Sequence, residues 1–251
     1  MCPPPDGGRG LADRVALVTG AGIRVGQTIA VTLGAQAMRV VVHYNGSREG
    51  ADETVRMIEA AGGHAIAVQA DLSQPDGPDA LIERTLAEYG ALDALVNSAA
   101  IMLRTPVGEV SVAEWDTMFA VNTRAPFFLS QRAAPALART RGSIVNIADL
   151  AAFETWPAYV PHGITKAAVV QMTRALAHAM APDVRVNAIA PGAVLLPDDW
   201  DEASRQHLID TTPLERIGTP ADVGDAVLYL ARAEYVTGDV LVVDGGRHVR
   251  T

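Results

Sequence analysis

The stretch 159–166 reads YVPHGITK, and its last residue, Lys166, is the only lysine in a chain that carries nineteen arginines. A surface cation can be either residue at little cost, so a composition that excludes lysine elsewhere hints at chemistry at this one site, the alternative being an accident of position. Four residues earlier stands His162, which a helix would place on the same face. An imidazole exchanges protons near neutrality with little tuning, because its ordinary pKa is about 6.5. Tyr159, one helical turn before His162, is a further candidate proton donor or substrate contact, with Pro161 between them.

A second group with chemical meaning is TGAGIRVG at 19–26. It follows an apolar run and opens an Ala-rich segment of helical period. Glycines at 20, 22 and 26 let the backbone approach a pyrophosphate, and the helix N-terminus supplies free N–H groups and partial positive charge. The spacing is GxGxxxG. NAD-preferring sites place an acid after the second strand to hold the ribose 2′-hydroxyl. Here that region is His43, Tyr44, Asn45, Gly46, Ser47 and Arg48, with no carboxylate until Glu49. Arg24, inside the turn, together with Ser47 and Arg48 could instead bind the extra phosphate of NADPH through charge-assisted hydrogen bonds.

Positioning such groups requires a scaffold. Runs at 14–20, 39–44, 64–70, 92–98, 142–148, 184–190 and 240–245 are rich in Val, Ile and Leu and read as strands. Segments 25–36, 48–61, 78–89, 112–138, 163–181 and 220–232 read as helices between them. Strands apolar on both faces belong to a sheet covered on both sides. The repeated strand–helix unit predicts an α/β fold: one doubly wound domain with a seven-stranded, mostly parallel sheet and helices on both faces, a Rossmann fold. Residues 1–12 are expected to be a disordered tail and 13–251 a single domain. The irregular stretch 192–219 follows a strand's carboxyl end, the edge where such sheets bind ligands, and is expected to form a substrate loop. Leu195 and Trp200 in that loop are candidate substrate contacts. Asp198, Asp199, Asp201 and Glu202 surround Trp200. They could attract a cationic substrate, although such a cluster more often favours the first turn of an exposed helix.

Composition narrows the function classes. At 251 residues and 49% hydrophobic content the chain can bury a sizeable core. Its net charge of −9 argues against nucleic acid, because phosphate contacts need a basic face. The single cysteine, Cys2, gives no basis for disulfides or thiolate chemistry, and the six histidines lack ligand spacing, so no metal is expected. The N-terminus lacks a signal-peptide pattern and no apolar run approaches the ~18 residues that span a bilayer. A cytoplasmic protein acting on a small molecule is expected.

Taken in order, these segments resemble the short-chain dehydrogenase/reductase family from Arg14 to Gly246. TGAGIRVG is similar to the family's glycine turn, and Asp71, followed by Leu72, to the acid that contacts adenine. VNSAA at 96–100, with Asn97, Ser98 and Ala99, resembles its NNAG stretch, and Asn122 its helix asparagine. Pro191–Gly192 matches its PG motif, and VTGDVLVVDGG at 236–246 its C-terminal strand. The resemblance implies cofactor contacts from Gly20, Gly22, Arg24, Val25 and Gly26 in the turn, from the segments just named, and from Lys166 at the nicotinamide ribose. It also implies a homo-oligomer, dimer or tetramer, built on helices 112–138 and 163–181, with Phe127 and Phe128 as core or subunit contacts.

The departures are specific. His162 occupies the place of the family's catalytic Tyr in YxxxK, and Asp149 the place of its catalytic Ser. Arg24, the HY pair after the second strand and Asp149 are together similar to the pteridine reductase branch, which reduces ring C=N bonds with NADPH but keeps Tyr. Asn122, Asp149, His162 and Lys166 are the expected catalytic group, with Asp149 also facing substrate. A ketone becomes a strongly basic alkoxide on hydride attack and benefits from a placed acid, whereas a cyclic iminium arrives protonated and leaves as a neutral amine. Loss of Tyr therefore favours C=N reduction, with Asp149 stabilising the cation. Ketone reduction with His162 as the acid, or a cofactor-binding role without redox chemistry, are the alternatives.

Overall fold

A computed structural model describes residues 10–196 and 200–249. Seven strands, β1 (Val15–Val18), β2 (Arg39–Tyr44), β3 (His64–Gln69), β4 (Ala94–Asn97), β5 (Ser143–Ile147), β6 (Arg185–Pro191) and β7 (Val240–Val243), form one sheet in the order β3-β2-β1-β4-β5-β6-β7. Every neighbouring pair is parallel. The chain steps outward from β1 to β3, then crosses back to β4 beside β1. That reversal opens a crevice at the carboxyl ends of β1 and β4, where doubly wound sheets hold ligands.

Alternation along the strands explains the two covered faces. Ala16 and Val18 of β1 pack with α1 (Arg24–Gly34), α2 (Arg48–Ala60) and α8 (Pro220–Arg232) through Ile29, Leu33, Ile58, Val223 and Val227. Val15 and Leu17 of the same strand pack on the other face with α3 (Gly77–Tyr89), α5 (Ala125–Thr140) and α6 (Val160–Met180) through Leu81, Leu129, Leu137 and Leu176. Each strand residue thus feeds one of two apolar layers, the period-2 logic of a sheet buried on both sides.

The structure departs from the sequence expectation at several points. The segment expected as one helix over 112–138 is α4 (Val112–Phe119), a π turn over Ala120–Arg124, and α5. Pro126 has no N–H for the Asn122 carbonyl four residues earlier, so the ladder shifts register there. α6 starts at Val160, three residues before the expected 163, because Pro161 in the first turn needs no N–H partner. Leu11 is buried in the first apolar layer, so the expected tail ends before it. Residues 1–9, 197–199 and 250–251, with Cys2, Asp198 and Asp199, lie outside the described residues. The substrate-loop stretch contains an unexpected helix, α7 (Glu202–Asp210), whose N-cap Asp201 accepts the Ser204 N–H at 2.6 Å. For Asp201 the helix-capping reading is the one realised. Phe127 and Phe128 are 39% and 42% exposed and belong to no core. Among the described residues no helix is long and apolar enough to cross a membrane.

Candidate active site

The glycine turn sits at the carboxyl end of β1, and its shape is set by contacts that leave no room for side chains. Gly20 has φ +64, and a Cβ on it would lie 2.9 Å from the Ala99 Cα. On Gly26 a Cβ would lie 2.2 Å from the Gly20 carbonyl oxygen. Arg24 takes φ +57, a left-handed conformation that costs a non-glycine residue about 1 kcal/mol or more. A cavity of about 340 Å³ opens here. Its wall includes Gly20, Gly22, Arg24, Val25 and Gly26 from the turn, and Tyr44 and Ser47 after β2. Asp71 and Leu72 after β3 and Ser98 and Ala99 after β4 complete it. These residues line one cavity.

The only carboxylate in that wall, among the described residues, is Asp71. Its Oδ1 accepts from the Ser73 hydroxyl at 2.7 Å and the Ser73 N–H at 2.9 Å, which hold the carboxyl below its ordinary pKa. The wall near Ser47 therefore carries no acid to repel a 2′-phosphate. The glycine cradle and this lining fit a dinucleotide phosphate.

Three expected cofactor contacts have other work. His43 lines the cavity, yet both ring nitrogens are committed: Nδ1 accepts the Gly20 N–H at 3.0 Å and Nε2 faces the Ala70 carbonyl at 3.1 Å. Burial lowers its pKa from 6.5 to about 4, so the neutral ring is a strut between the turn and β3. Asn97 is buried beneath the crevice, donating to Asn146 Oδ1 at 2.8 Å, while Asn146 donates to Thr173. Arg48 lies outside the cavity wall, 76% exposed and 3.6 Å from Asp52. Pro191 ends β6 and, like Lys166, lines neither cavity described here.

Sequence reasoning passed over Thr19 and Ile101. The Thr19 hydroxyl accepts the N–H groups of Ser98 and Ala99 at 2.9 and 3.0 Å, tying the ends of β1 and β4 together. The Ile101 peptide is clamped by Asn122, whose Oδ1 accepts its N–H at 2.7 Å and whose Nδ2 donates to its carbonyl at 2.8 Å. Asn122 also reaches the Thr165 hydroxyl at 3.1 Å. It lies in the π turn, an irregularity frequent at functional sites.

Of the expected catalytic residues, Asn122 forms that clamp and His162 lies beside it. Lys166 is 4% exposed and donates to the Ile147 carbonyl at 2.8 Å. Burial lowers its pKa from 10.5 to about 8, with the Asp149 charge opposing. His162 is 2% exposed; Nδ1 lies 3.3 Å from the Ile101 carbonyl and Nε2 3.6 Å from Asp149 Oδ2. At 3.6 Å the Asp149 contact is an ion-pair distance and not a hydrogen bond, and Nε2 has no hydrogen-bond partner. Asp149 is oriented by its other oxygen, which accepts the Ala151 N–H at 2.8 Å.

A second cavity of about 500 Å³ adjoins this group. Asp149, Tyr159, Leu195 and Trp200, the four expected substrate contacts, all line it, with Met102, Trp156 and Gly192. Arg24 lines both cavities. His162 lines neither: Asp149 forms the wall and the imidazole sits behind it. Trp156 and Tyr159 pack edge to face at 6.4 Å, giving the pocket an aromatic side.

Residues 20–248 match the family model described as enoyl-(acyl carrier protein) reductase. The chain is 38% identical to 3beta-hydroxysteroid dehydrogenase 1 of Eggerthella lenta, covering 94% of each sequence. It is 32% identical to the 3-oxoacyl-(acyl-carrier-protein) reductase FabG of Staphylococcus aureus, over 93% of this chain and 98% of the other. Among solved structures, the angucycline C-6 ketoreductase LanV with bound NADP superposes with a TM-score of 0.90 at 32% identity, covering 96% of this chain and 98% of the other. A 7 alpha-hydroxysteroid dehydrogenase complexed with NADH and 7-oxo glycochenodeoxycholic acid gives 0.90 at 31% identity over 94% of each. With this fold, glycine turn and spacing, the chain belongs to the short-chain dehydrogenase/reductase family of NAD(P)-dependent oxidoreductases.

Proposed function

We propose that the protein is an NADPH-dependent reductase of a cyclic C=N group, taken up as the iminium cation. When bound, the reduced nicotinamide supplies the hydride. Gly20, Gly22 and Gly26 would cradle the pyrophosphate at the start of α1, Ser47 and Arg24 the 2′-phosphate region, and Asp71 and Leu72 the adenine side; the family resemblance alone would add Lys166 at the nicotinamide ribose. The acid-free wall near Ser47 and the NADP in the LanV structure support NADPH over NADH.

The observation that carries the C=N reading is the order of residues at the substrate wall. Asp149 faces the pocket, and the imidazole that replaces the family's phenol is buried behind it with Nε2 enclosed. A carboxylate beside aromatic rings holds a planar cation, and hydride addition to an iminium yields a neutral amine without an incoming proton. The pteridine-reductase-like pattern of Arg24, His43–Tyr44 and Asp149 agrees with this. Carbonyl reduction is the second reading, favoured by relatives whose names specify ketoreductase and hydroxysteroid dehydrogenase. In that case the Asp149–His162 pair must deliver the proton.

NADPH oxidation measured with cyclic imines, dihydropterins and ketones separates the two: turnover of ketones alone defeats the C=N reading. His162→Ala and His162→Tyr refine it. Retained imine turnover in Ala excludes an essential proton from His162, and loss in Ala with rescue by Tyr assigns it the acid's role. The same reading includes a homo-oligomer assembled through α4, α5 and α6, where Trp115, Phe127 and Phe128 are exposed. Light scattering on the purified chain tests it.

A further inference from the structure

At the end of the sheet opposite the glycine turn, a pocket of about 200 Å³ is lined by Arg14, Arg141, Pro182, Asp183, Arg185, Ala231, Arg232 and Glu234. Arg14 precedes β1, Arg141 precedes β5 and Arg185 begins β6, so the topology gathers three guanidiniums at the amino-terminal edge of the sheet, and the end of α8 adds a fourth. Four cations face two carboxylates here, in a chain whose net charge is −9.

Two of the four are already employed. Arg185 donates to the Leu230 and Ala231 carbonyls at 2.8 and 3.0 Å, satisfying the end of α8, and Arg232 bonds Gln36. Arg14 and Arg141 make no side-chain hydrogen bond or ion pair among the described residues, even though Asp183 and Glu234 line the same pocket. Burial lowers the Arg185 pKa, Glu234 pulls it up and Arg14 pushes it down, which places Arg14 and Arg185 within each other's fields. Like charges gathered around a concavity raise the local potential for an anion. Guanidinium forks match the oxygens of a phosphate, and a dianion engages more than one fork at once.

We propose that this pocket is a binding site for a phosphate dianion, held by Arg14 and Arg141 with Arg185 behind them. It is separate from the dinucleotide cleft, which lies at the carboxyl ends of the strands.

The test is titration calorimetry on the full chain saturated with NADPH, so that the dinucleotide cleft is filled. Inorganic phosphate and glycerol 3-phosphate are the probes, at pH 8 and at ionic strength held constant with chloride. Saturable binding of one equivalent per chain is expected. Arg14→Gln and Arg141→Asn should each weaken it at least about tenfold, as expected for a lost charge-assisted contact, and the double variant should abolish it. Asn tolerates the left-handed backbone of Arg141, where φ is +50. Unchanged NADPH affinity in the variants, read by the same calorimetry, serves as the control for folding. Binding of the ester as tightly as phosphate would support a phosphomonoester as the ligand. Absence of saturable binding in the parent chain, or equal affinity in the double variant, would overturn the proposal.

Discussion

Lys166→Met tests the electrostatics of the site most directly. The ammonium is buried, and its pKa falls from 10.5 to about 8 because desolvation outweighs the attraction of Asp149. That gap corresponds to about 3 kcal/mol, at ~1.4 kcal/mol for each tenfold change in proton affinity. Below pH 8 both folded and unfolded chains carry the proton, and the whole cost of burying the charge is present. Between about 8 and 10.5 the unfolded chain holds a proton that the native chain has released, so stability rises with pH through that window. Methionine keeps the length of the side chain and does not titrate. It gives up the bond to the Ile147 carbonyl, leaving a buried acceptor unmet at a cost of about 1 to 2 kcal/mol.

The variant should therefore be about 1 to 2 kcal/mol more stable than the parent at pH 7, and its advantage should shrink by about 2 kcal/mol between pH 8 and 9.5. Urea denaturation of both proteins, without cofactor, across pH 6.5 to 9.5 measures this. Other ionisable groups largely cancel in the difference. A difference that stays flat across the window would refute the assignment of the low pKa to Lys166. Greater stability with weakened NADPH binding is the trade expected when a buried charge is kept for function.

Three further outcomes follow from the geometry. Gly26→Ala should lose about 2 kcal/mol or more of stability, together with NADPH binding, because its Cβ would meet the Gly20 carbonyl at 2.2 Å; thermal melts with and without NADPH read both. Ser47→Asp should lower NADPH affinity by roughly a hundredfold while sparing NADH, since it adds a carboxylate where the wall near Ser47 has no acid; paired fluorescence titrations with the two cofactors would show it. His43 is held neutral by burial, with its pKa lowered to about 4, so stability is lost as pH falls from 6.5 towards 4; His43→Gln should remove up to about 3 kcal/mol of that pH dependence, measured by acid-range denaturation.

The architecture was legible because the strands carry the signal twice. Segments such as VALV and RVVVHY are apolar at consecutive positions, which only a sheet buried on both faces accommodates, and the intervening Ala-rich segments repeat at helical period. Where the expectation slipped, a local feature overrode the pattern. Pro126 converts one helix into two with a π turn between them, and hydrophobic period cannot register the missing N–H. α7 is mostly polar, with Ala203, Leu208 and Ile209 its apolar residues and only Leu208 buried, so no apolar stripe marks it in the sequence.

Within the site, the sequence could place residues along the chain but not rank them by depth. Lys166, His162 and Asp149 are expected as one group, and Asp149 lies 3.6 Å from His162 with its charge acting on Lys166. That Asp149 forms the wall and His162 stands behind it depends on side-chain direction at the end of β5 and on the Ala151 N–H that fixes the carboxylate. His43 and Asn97 show the same limit: their positions match cofactor contacts, yet the His43 ring nitrogens meet the Gly20 N–H and the Ala70 carbonyl while the ring lines the cavity, and the Asn97 amide donates to Asn146 beneath it. The Ile101 carbonyl shows the converse. Any residue type provides a carbonyl, so no signal marked it, yet it accepts from Asn122 and faces His162 Nδ1. Buried behind Asp149, whose Oδ2 lies 3.6 Å from Nε2, and absent from the cavity wall, the imidazole is placed to set the surroundings of that carboxylate more than to meet substrate. If that is its role, replacing His162 by Gln should disturb Asp149 more than it disturbs proton supply. The Michaelis constant for a cationic imine should then change by a larger factor than the turnover number, whereas a dominant fall in turnover would identify His162 as the acid.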